Sequence, residues 1–403
     1  MLEISERLAE LESSGLRRRL RVVEGPQGPE VVLDGRPVLL LCSNNYLGLA
    51  GHPRLRHAAA EAALSLGTSA GASRLISGSM SIHTELEARL ADFKGTEAAL
   101  LFGSGYLANS GAIAVLARRG EVVFSDELNH ASIIDGCRLA GADTFVYRHA
   151  DTGHLEWGLR KAAGRAALIA TDGVFSMDGD VAPLPELVEL ARRHRGRLLV
   201  DEAHATGCIG PEGRGSVAAA GLTGEVDVIV GTLGKALGGY GAYVCGSAAM
   251  VELMVNCARP FIFSTAPPPP AVAAAQAALE LLAESPDRVE RLRANAATLR
   301  EGLRAEGLQP IGSETQIVPL VVGEAGDAVA LCERLLAEGV FAQAIRPPTV
   351  PPGTCRLRLT TMATHRIEDL RQAAKLIGAA ARDLGLTSRT GRRAAGAPLR
   401  EAA

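Results

Sequence analysis

Only four of the 42 Lys and Arg residues are lysines: Lys94, Lys161, Lys235 and Lys375. A composition that uses Arg wherever a cation will do draws attention to a lysine in a special setting. An amine can lose its proton and form a Schiff base, and a guanidinium cannot. Lys235 has that setting. It follows the apolar run Val226–Gly231 and the residues Thr232, Leu233 and Gly234, and Gly238, Gly239 and Gly241 come soon after. Glycines on both sides let the backbone turn sharply and approach a ligand closely. The plain alternative is a lysine at a turn with its head in solvent.

Other segments carry compatible chemistry. The run Leu198–Val200 ends in Asp201, Glu202, Ala203 and His204. An acid at the carboxyl end of a parallel strand stands where α/β folds bind ligands and could hold a protonated ring nitrogen; otherwise it caps the next helix. The four letters also imitate a helicase box, but Ile229 stands where a phosphate-binding loop before Gly234 and Lys235 needs its first Gly, which excludes an NTPase. Gly103, Gly105 and Ala108 match the dinucleotide fingerprint, with Asp126 near the expected distance. A helix N-terminus after a strand serves any phosphate, so this spacing supports phosphate binding more than NAD. Gly67, Ser69 and Gly71 match a nucleophile elbow, yet His57–Leu66 before them reads as helix, which argues against a serine hydrolase. His130 lies in a loop after Val122–Phe124, and the segment from Thr171 to Asp180 is rich in small polar groups around Ser176. Arg356 and Arg358 share one strand face and could offer a planar fork to a carboxylate, or simply face solvent. A phosphate cradle, a Schiff-base lysine, an acid for a ring nitrogen, a stackable histidine and carboxylate-binding arginines form the parts of a pyridoxal-phosphate enzyme acting on an amino acid.

The elements that must position these residues are legible as alternation. Apolar runs at Ala98–Phe102, Val122–Phe124, Ala167–Ala170, Leu198–Val200, Val226–Val230 and Ala242–Cys245 alternate with stretches of helical period such as Ile82–Phe93 and Leu184–His194. That pattern predicts an α/β fold with a buried, mainly parallel sheet. Ahead of it, Leu2, Ile4, Leu8, Leu11, Leu16 and Leu20 across residues 2–20 predict a short amphipathic helix packed on a larger body, and Asp34 with Gly35 predicts a hairpin. After the interruption Pro267–Pro270 comes a long Ala/Leu/Glu/Arg segment, Ala271–Glu306. A smaller α+β unit is expected next: strands at Thr315–Val322, Val340–Ile345 and Cys355–Thr360, and helices at Asp327–Glu338 and His365–Leu384. The expected boundaries are 1–45 for an N-terminal helix and hairpin, 46–275 for the large domain, 276–387 for the small one, and 388–403 for a flexible tail. A chain of 403 residues with net charge -3 has no basic excess to favour nucleic acid. It has no run of ~18 apolar residues to span a membrane, and residues 1–20 have no apolar core for a signal peptide. Seven scattered cysteines without C-x-x-C predict neither zinc, nor another metal, nor disulfides, and a cytoplasmic location.

The order of the motifs resembles the α-oxoamine synthases, pyridoxal-phosphate enzymes of fold-type I that join an amino acid to an acyl thioester with loss of carbon dioxide. The resemblance rests on Ser43–Gly48, Gly105 with Tyr106, Asn129–Ser132, Gly173–Gly179, Asp201–His204, Thr232–Lys235 and Phe263–Thr265, and it covers nearly all of residues 1–385. It implies a large seven-stranded sheet domain flanked by helices, a smaller C-terminal domain, and a homodimer with shared active sites. It further implies that Lys235 holds pyridoxal phosphate covalently and moves the α-proton, that Asp201 pairs with the ring nitrogen, and that His130 stacks on the ring. His204 and Ser176 are expected near the phenolic oxygen. Gly105, Tyr106 and Thr232 are expected at the phosphate, with Thr265 supplied by a neighbouring subunit. Arg358 is expected to bind the amino-acid carboxylate; Asn44, Arg17 and Thr349 complete the substrate side. The segments around Arg17 and from Arg346 to Arg358 look most like a branch that uses L-alanine and a pimeloyl thioester of coenzyme A or acyl carrier protein. One departure is Asp172, where that branch often carries Glu. A sister branch would use glycine and a shorter acyl thioester, and an NAD-dependent oxidoreductase built on Gly103–Ala108 and Asp126 remains the unrelated alternative.

Overall fold

Seven strands form one sheet: β1 (Ala98–Phe102), β2 (Val122–Asp126), β3 (Asp143–Tyr147), β4 (Ala166–Asp172), β5 (Arg197–Asp201), β6 (Val228–Thr232) and β7 (Ala242–Gly246). Their order across the sheet is β1-β7-β6-β5-β4-β2-β3. β7 runs antiparallel to β1 and β6, and the other neighbours are parallel. This is a computed structural model, described for residues 3–311 and 315–387. The sheet belongs to a unit made of Asn45–Ser176 and Asp180–Glu290. A second unit takes the described residues up to Asn44, Met177–Gly179, and those from Arg291 onward.

Strands covered on both faces must be apolar throughout, and Val228, Ile229 and Val230 of β6 are each at most 2% exposed. β3 is the exception. It sits at the sheet edge, and Asp143, Thr144 and Val146 are exposed. Its mixed composition hides it from a search for apolar runs. Between the strands lie helices Gly105–Leu116, Ala131–Ala140, Thr152–Ala162 and Leu184–His194. The first starts on Ser104, whose hydroxyl accepts from Leu107 N at 3.3 Å, and the second on His130, whose ring accepts from Ser132 N. Leu100, Ala112, Ile113, Ile133, Leu168, Leu199 and Val244 pack between sheet and helices. Each large aliphatic side chain buried there contributes about 1.5–3 kcal/mol. The parallel strands β2, β4, β5 and β6 therefore place Asp126, Asp172, Asp201 and Thr232 along one edge of the sheet.

In the second unit, Glu30–Leu33 and Arg36–Leu40 pair as the expected hairpin. Its turn residues have φ 49° at Asp34 and 77° at Gly35, the left-handed pair that matches strand twist in a two-residue hairpin. Ile317–Gly323, Cys355–Thr360 and Ala344–Ile345 form an antiparallel sheet. Helices Ala325–Ala337 and Ile367–Asp383, with Ala296, Leu299 and Leu303, close its core.

Two expectations change, and one segment left without an element gains two. The N-terminal helix forms at Ile4–Ser13 but buries none of its residues, and Ile4 is 82% exposed, so it is not packed on a larger body. The segment Ala271–Glu306 is two helices, Pro269–Glu284 and Asp287–Ala305, parted at Ser285 and Pro286. Pro269 and Pro270 open the first of these, because proline's missing N–H and fixed φ suit a first helical turn. Val340–Ile345 divides into Val340–Phe341, which joins the hairpin sheet, and Ala344–Ile345, which pairs elsewhere. The tail 388–403 lies outside the described residues.

Among the described residues no helix is long and apolar enough to cross a membrane, and no cluster of three ligating side chains is arranged for a metal. Cys137, Cys208, Cys245, Cys332 and Cys355 are buried, Cys42 is half-buried and Cys257 is exposed. Burial pushes the thiols of Cys42 and Cys245 up to about 12 and that of Cys137 up to about 11.

Candidate active site

Lys235 stands three residues beyond the end of β6, half-buried, with Nζ 2.8 Å from His204 Nε2. The other ring nitrogen of His204 lies 2.7 Å from Tyr46 Oη, and Tyr46 is fully buried. One imidazole thus links a buried phenol to the amine singled out by composition.

Asp201, 4% exposed at the end of β5, accepts from Ala203 N at 2.8 Å and from Asn109 Nδ2 at 2.6 Å. Asn109 lies one helical turn beyond Gly105, on the helix Gly105–Leu116, and its amide also donates to Ser132 Oγ at 2.9 Å. Ser132 Oγ in turn is 2.7 Å from His130 Nδ1. These contacts join Asp201 to His130 through two neutral side chains. No motif pointed to Asn109; its 92-residue separation from Asp201 is closed only by the fold.

Asp172 ends β4 directly opposite Asp201 in the strand register. Its Oδ2 accepts from His130 N at 3.0 Å, and its own N–H donates to Asn129 Oδ1 at 2.9 Å. Burial first, and then the neighbouring Asp201 carboxylate, push the Asp172 carboxyl well above the usual range. The short acid at this position therefore orients the His130 turn.

Thr232 donates its hydroxyl to Gly241 O at 3.1 Å and accepts from Gly234 N at 3.2 Å. The helix beginning at Gly105 and Tyr106 directs its unpaired first N–H groups outward. A Cβ added at Gly105 would meet nothing nearer than Thr232 Cβ at 4.0 Å, so there is room before this helix start. Tyr106 hydrogen-bonds Asp135 through its hydroxyl, leaving its backbone N–H for other use. Ser176 is half-buried, and Thr265 is exposed and bridges Ser73 through the backbone.

The oxidoreductase alternative and the serine-hydrolase reading both meet physical objections. Asp126 is 2% exposed and its carboxylate already accepts from Leu128 N and Ala150 N while contacting His149, so it cannot take a ribose. Gly67–Gly71 follows the helix Pro53–Leu66 rather than a strand, so Ser69 is on no elbow.

Behind Asp201 lies a buried ion pair that no motif announced. Lys94 Nζ is 2.5 Å from Glu202 Oε2 and donates to Thr206 Oγ1 at 2.8 Å and Arg214 O at 2.6 Å. Glu202 Oε1 accepts from Ser216 Oγ and Val217 N, both at 2.8 Å. Gly215 has φ 109°, and a Cβ there would lie 2.0 Å from Glu202 Oε2, so only glycine fits beside the pair.

The second unit holds the other expected residues. Arg356 and Arg358 share a face of Cys355–Thr360 as predicted, but both are buried rather than solvated. Arg356 is taken up by Asp178, at 2.7 Å, and by Met177 O, so it is not half of a substrate fork. Arg358 donates to Asn44 Oδ1 at 3.2 Å. Arg17 pairs with Glu12 at 2.9 Å, and Thr349 is exposed.

The family model for aminotransferase class I and II matches residues 36–377. The chain is 55% identical over 388 residues to an 8-amino-7-oxononanoate synthase of Geobacter sulfurreducens, covering 95% of this chain and 99% of that one. It is 49% identical to the synthase of that name from Symbiobacterium thermophilum, over 94% and 98% of the two chains. Among solved structures, a serine palmitoyltransferase variant from S. paucimobilis with bound PLP–myriocin aldimine superposes with TM-score 0.90 at 35% identity, over 95% and 97% of the chains. The 8-amino-7-oxononanoate synthase of Francisella tularensis gives 0.75 at 28% identity, over 86% and 98%. Motif order, sheet order and near full-length identity agree, and the chain belongs to the fold-type I pyridoxal-phosphate enzymes, in the α-oxoamine synthase group of the 8-amino-7-oxononanoate synthases.

Proposed function

We propose that the chain condenses L-alanine with a pimeloyl thioester, carried by coenzyme A or acyl carrier protein, to give 8-amino-7-oxononanoate, carbon dioxide and the free thiol. The observation that carries this reading is Lys235 Nζ held 2.8 Å from His204 at the sheet edge where Asp201 is buried and doubly anchored. The donor set suits pyridoxal phosphate. A carboxylate fixed at one strand end is matched to a ring nitrogen, an amine at the next is matched to an aldehyde, and a roomy helix start is matched to a phosphate. When bound, pyridoxal phosphate supplies an electron sink for the charge that develops at the α-carbon.

The side chains then divide the work. Lys235 holds the cofactor between turnovers and carries the proton between its Nζ and the α-carbon of alanine; its neighbour His204 orients the amine. Asp201 pairs with the ring nitrogen, and the Asn109 and Ala203 donors hold its carboxylate in place. His130, fixed by Ser132 and by Asp172 through its N–H, covers the ring face. His204 and Ser176 meet the phenolic oxygen. Gly105, Tyr106 and Thr232 receive the phosphate, joined by Thr265 of the partner subunit in a homodimer. Arg358 and Asn44 receive the alanine carboxylate, while Arg17 and Thr349 line the acyl side.

Purified protein should be yellow, and borohydride should erase the band and leave Lys235 modified. Thiol release should be faster with alanine and a pimeloyl thioester than with glycine or an acetyl thioester; the reverse preference would reassign the chain to a sister synthase. A colourless protein that stays inactive with added pyridoxal phosphate would end the reading. For the shared site, Thr265→Ala and Arg358→Ala proteins unfolded and refolded together should regain activity. Mixed dimers that recover none would place each site within one chain.

A further inference from the structure

A third imidazole at the same sheet edge has no part in the reaction as described. His149 follows β3, and its ring is 10% exposed between two carboxylates: Nδ1 is 3.0 Å from Asp126 Oδ1, and Nε2 is 2.6 Å from Asp180 Oδ2. The Phe175 ring meets it edge-on, with centroids 4.4 Å apart. Its backbone N–H donates to Glu127 Oε1 at 2.9 Å. An imidazole with a carboxylate on each nitrogen can donate to both only as the cation.

The two carboxylates belong to different functional segments. Asp126 ends β2 and opens the turn that runs through Leu128 and Asn129 to His130. Asp180 closes the loop that leaves β4, contains Phe175 and Ser176, and returns through the Phe175 N to Asp180 O bond at 2.9 Å. The Asn129 amide already stitches the first segment to β4 through Ala170 O and Asp172 N. His149 ties the far side of the Ser176 loop to the strand end that opens the His130 turn.

We infer that His149 is a positioning residue: as an imidazolium bridging Asp126 and Asp180 it sets the placement of Ser176 relative to His130, and through them the polar environment of the bound cofactor's phenolic oxygen. Burial alone would lower the ring's pKa, yet the two carboxylates outweigh it and raise it to about 10, so the cation persists at neutral pH. The inference rests on the cofactor reading above and adds a residue to it.

The test uses the holoenzyme and the absorption bands of bound pyridoxal phosphate, whose ratio follows the protonation and hydrogen bonding of the phenolic oxygen. His149→Ala should keep a borohydride-sensitive band on Lys235 but shift the band ratio, and lower kcat by about 10²-fold, the scale expected for a small misplacement of reacting groups. KM for alanine should change little. Asp180→Asn can still meet Nε2 with its amide and should fall between wild type and His149→Ala; it also serves if His149→Ala does not fold. Arg148→Ala, next in the chain and pointing to Asp151, should leave the spectrum unchanged. A lowered melting temperature in His149→Ala and Asp180→Asn with wild-type band ratio and kcat would make the cluster merely structural and overturn the inference. Wild-type protein without any cofactor band would instead overturn the function on which it stands.

Discussion

Lys94 and Lys235 lie in the same unit and show what an amine is for in each place. Lys94 is 4% exposed and enclosed by Glu202, Thr206 and Arg214 O. Burial would lower its pKa, but Glu202 and then Tyr243 outweigh that and hold it above its ordinary value. Its charge is sealed. Lys235 is half-buried, flanked by glycine, and faces an imidazole that can itself change protonation. Burial with a fixed partner makes a cation architectural, and partial exposure beside a titratable neighbour makes it chemical. The small unit holds another sealed cation, Arg356, locked to Asp178 at 2.7 Å.

The comparison breaks first at Lys235. Lys235→Ala should bind pyridoxal phosphate without a borohydride-trappable link and lose at least ~10²–10⁴-fold in turnover, with Lys235→Arg no better. Turnover near wild type in either variant would refute the chemical role. Lys94→Met should do the opposite. Removing one partner of a buried pair costs about 3–5 kcal/mol, read as a fall in the urea midpoint, while a Lys94→Met, Glu202→Gln double variant should regain part of it. Low activity at unchanged stability would move Lys94 into the chemical class.

A sealed group can also be neutral. His365 accepts from Met362 N at 2.9 Å, and its Nε2 faces Leu40 O at 3.2 Å. Burial lowers its pKa from 6.5 to about 4. The unfolded chain therefore takes up a proton that the folded chain refuses. Stability is unaffected above pH 6.5, falls as pH drops from there toward 4, and levels off below. At roughly 1.36 kcal/mol per pH unit this amounts to about 3 kcal/mol. Denaturation midpoints across that range should lose this slope in His365→Asn; an identical slope would assign it elsewhere. The smallest effect expected is at Arg358. A charge-assisted hydrogen bond contributes about 1.5–3 kcal/mol, so Arg358→Ala should raise KM for alanine roughly 10–150-fold while the protein stays yellow. Arg356→Ala should lose stability instead.

The sequence was most informative where chemistry and backbone geometry coincide. Lys235, Asp201 and Thr232 end or follow buried strands, and a strand buried on both faces announces itself as an unbroken apolar run. Strand β3 did not, because an edge strand with one wet face has no such run. The N-terminal helix has an apolar stripe but no cover within its own unit, so periodicity alone misplaced its burial. The roles of Asn109, Lys94 and His149 stayed hidden for a different reason. Each is an ordinary polar residue on a helix or loop, and its meaning lies in a partner tens of residues away. Local spacing cannot express that pairing.

The cysteines have a practical corollary. Five are buried, and burial raises the pKa of each, as it does for half-buried Cys42, so their nucleophilic thiolate forms are scarce near neutrality. Cys257, exposed on the helix Ala248–Cys257, is the one left to react. A maleimide dye at neutral pH should therefore mark the native chain at a single known address, ready for distance measurements without any engineered cysteine.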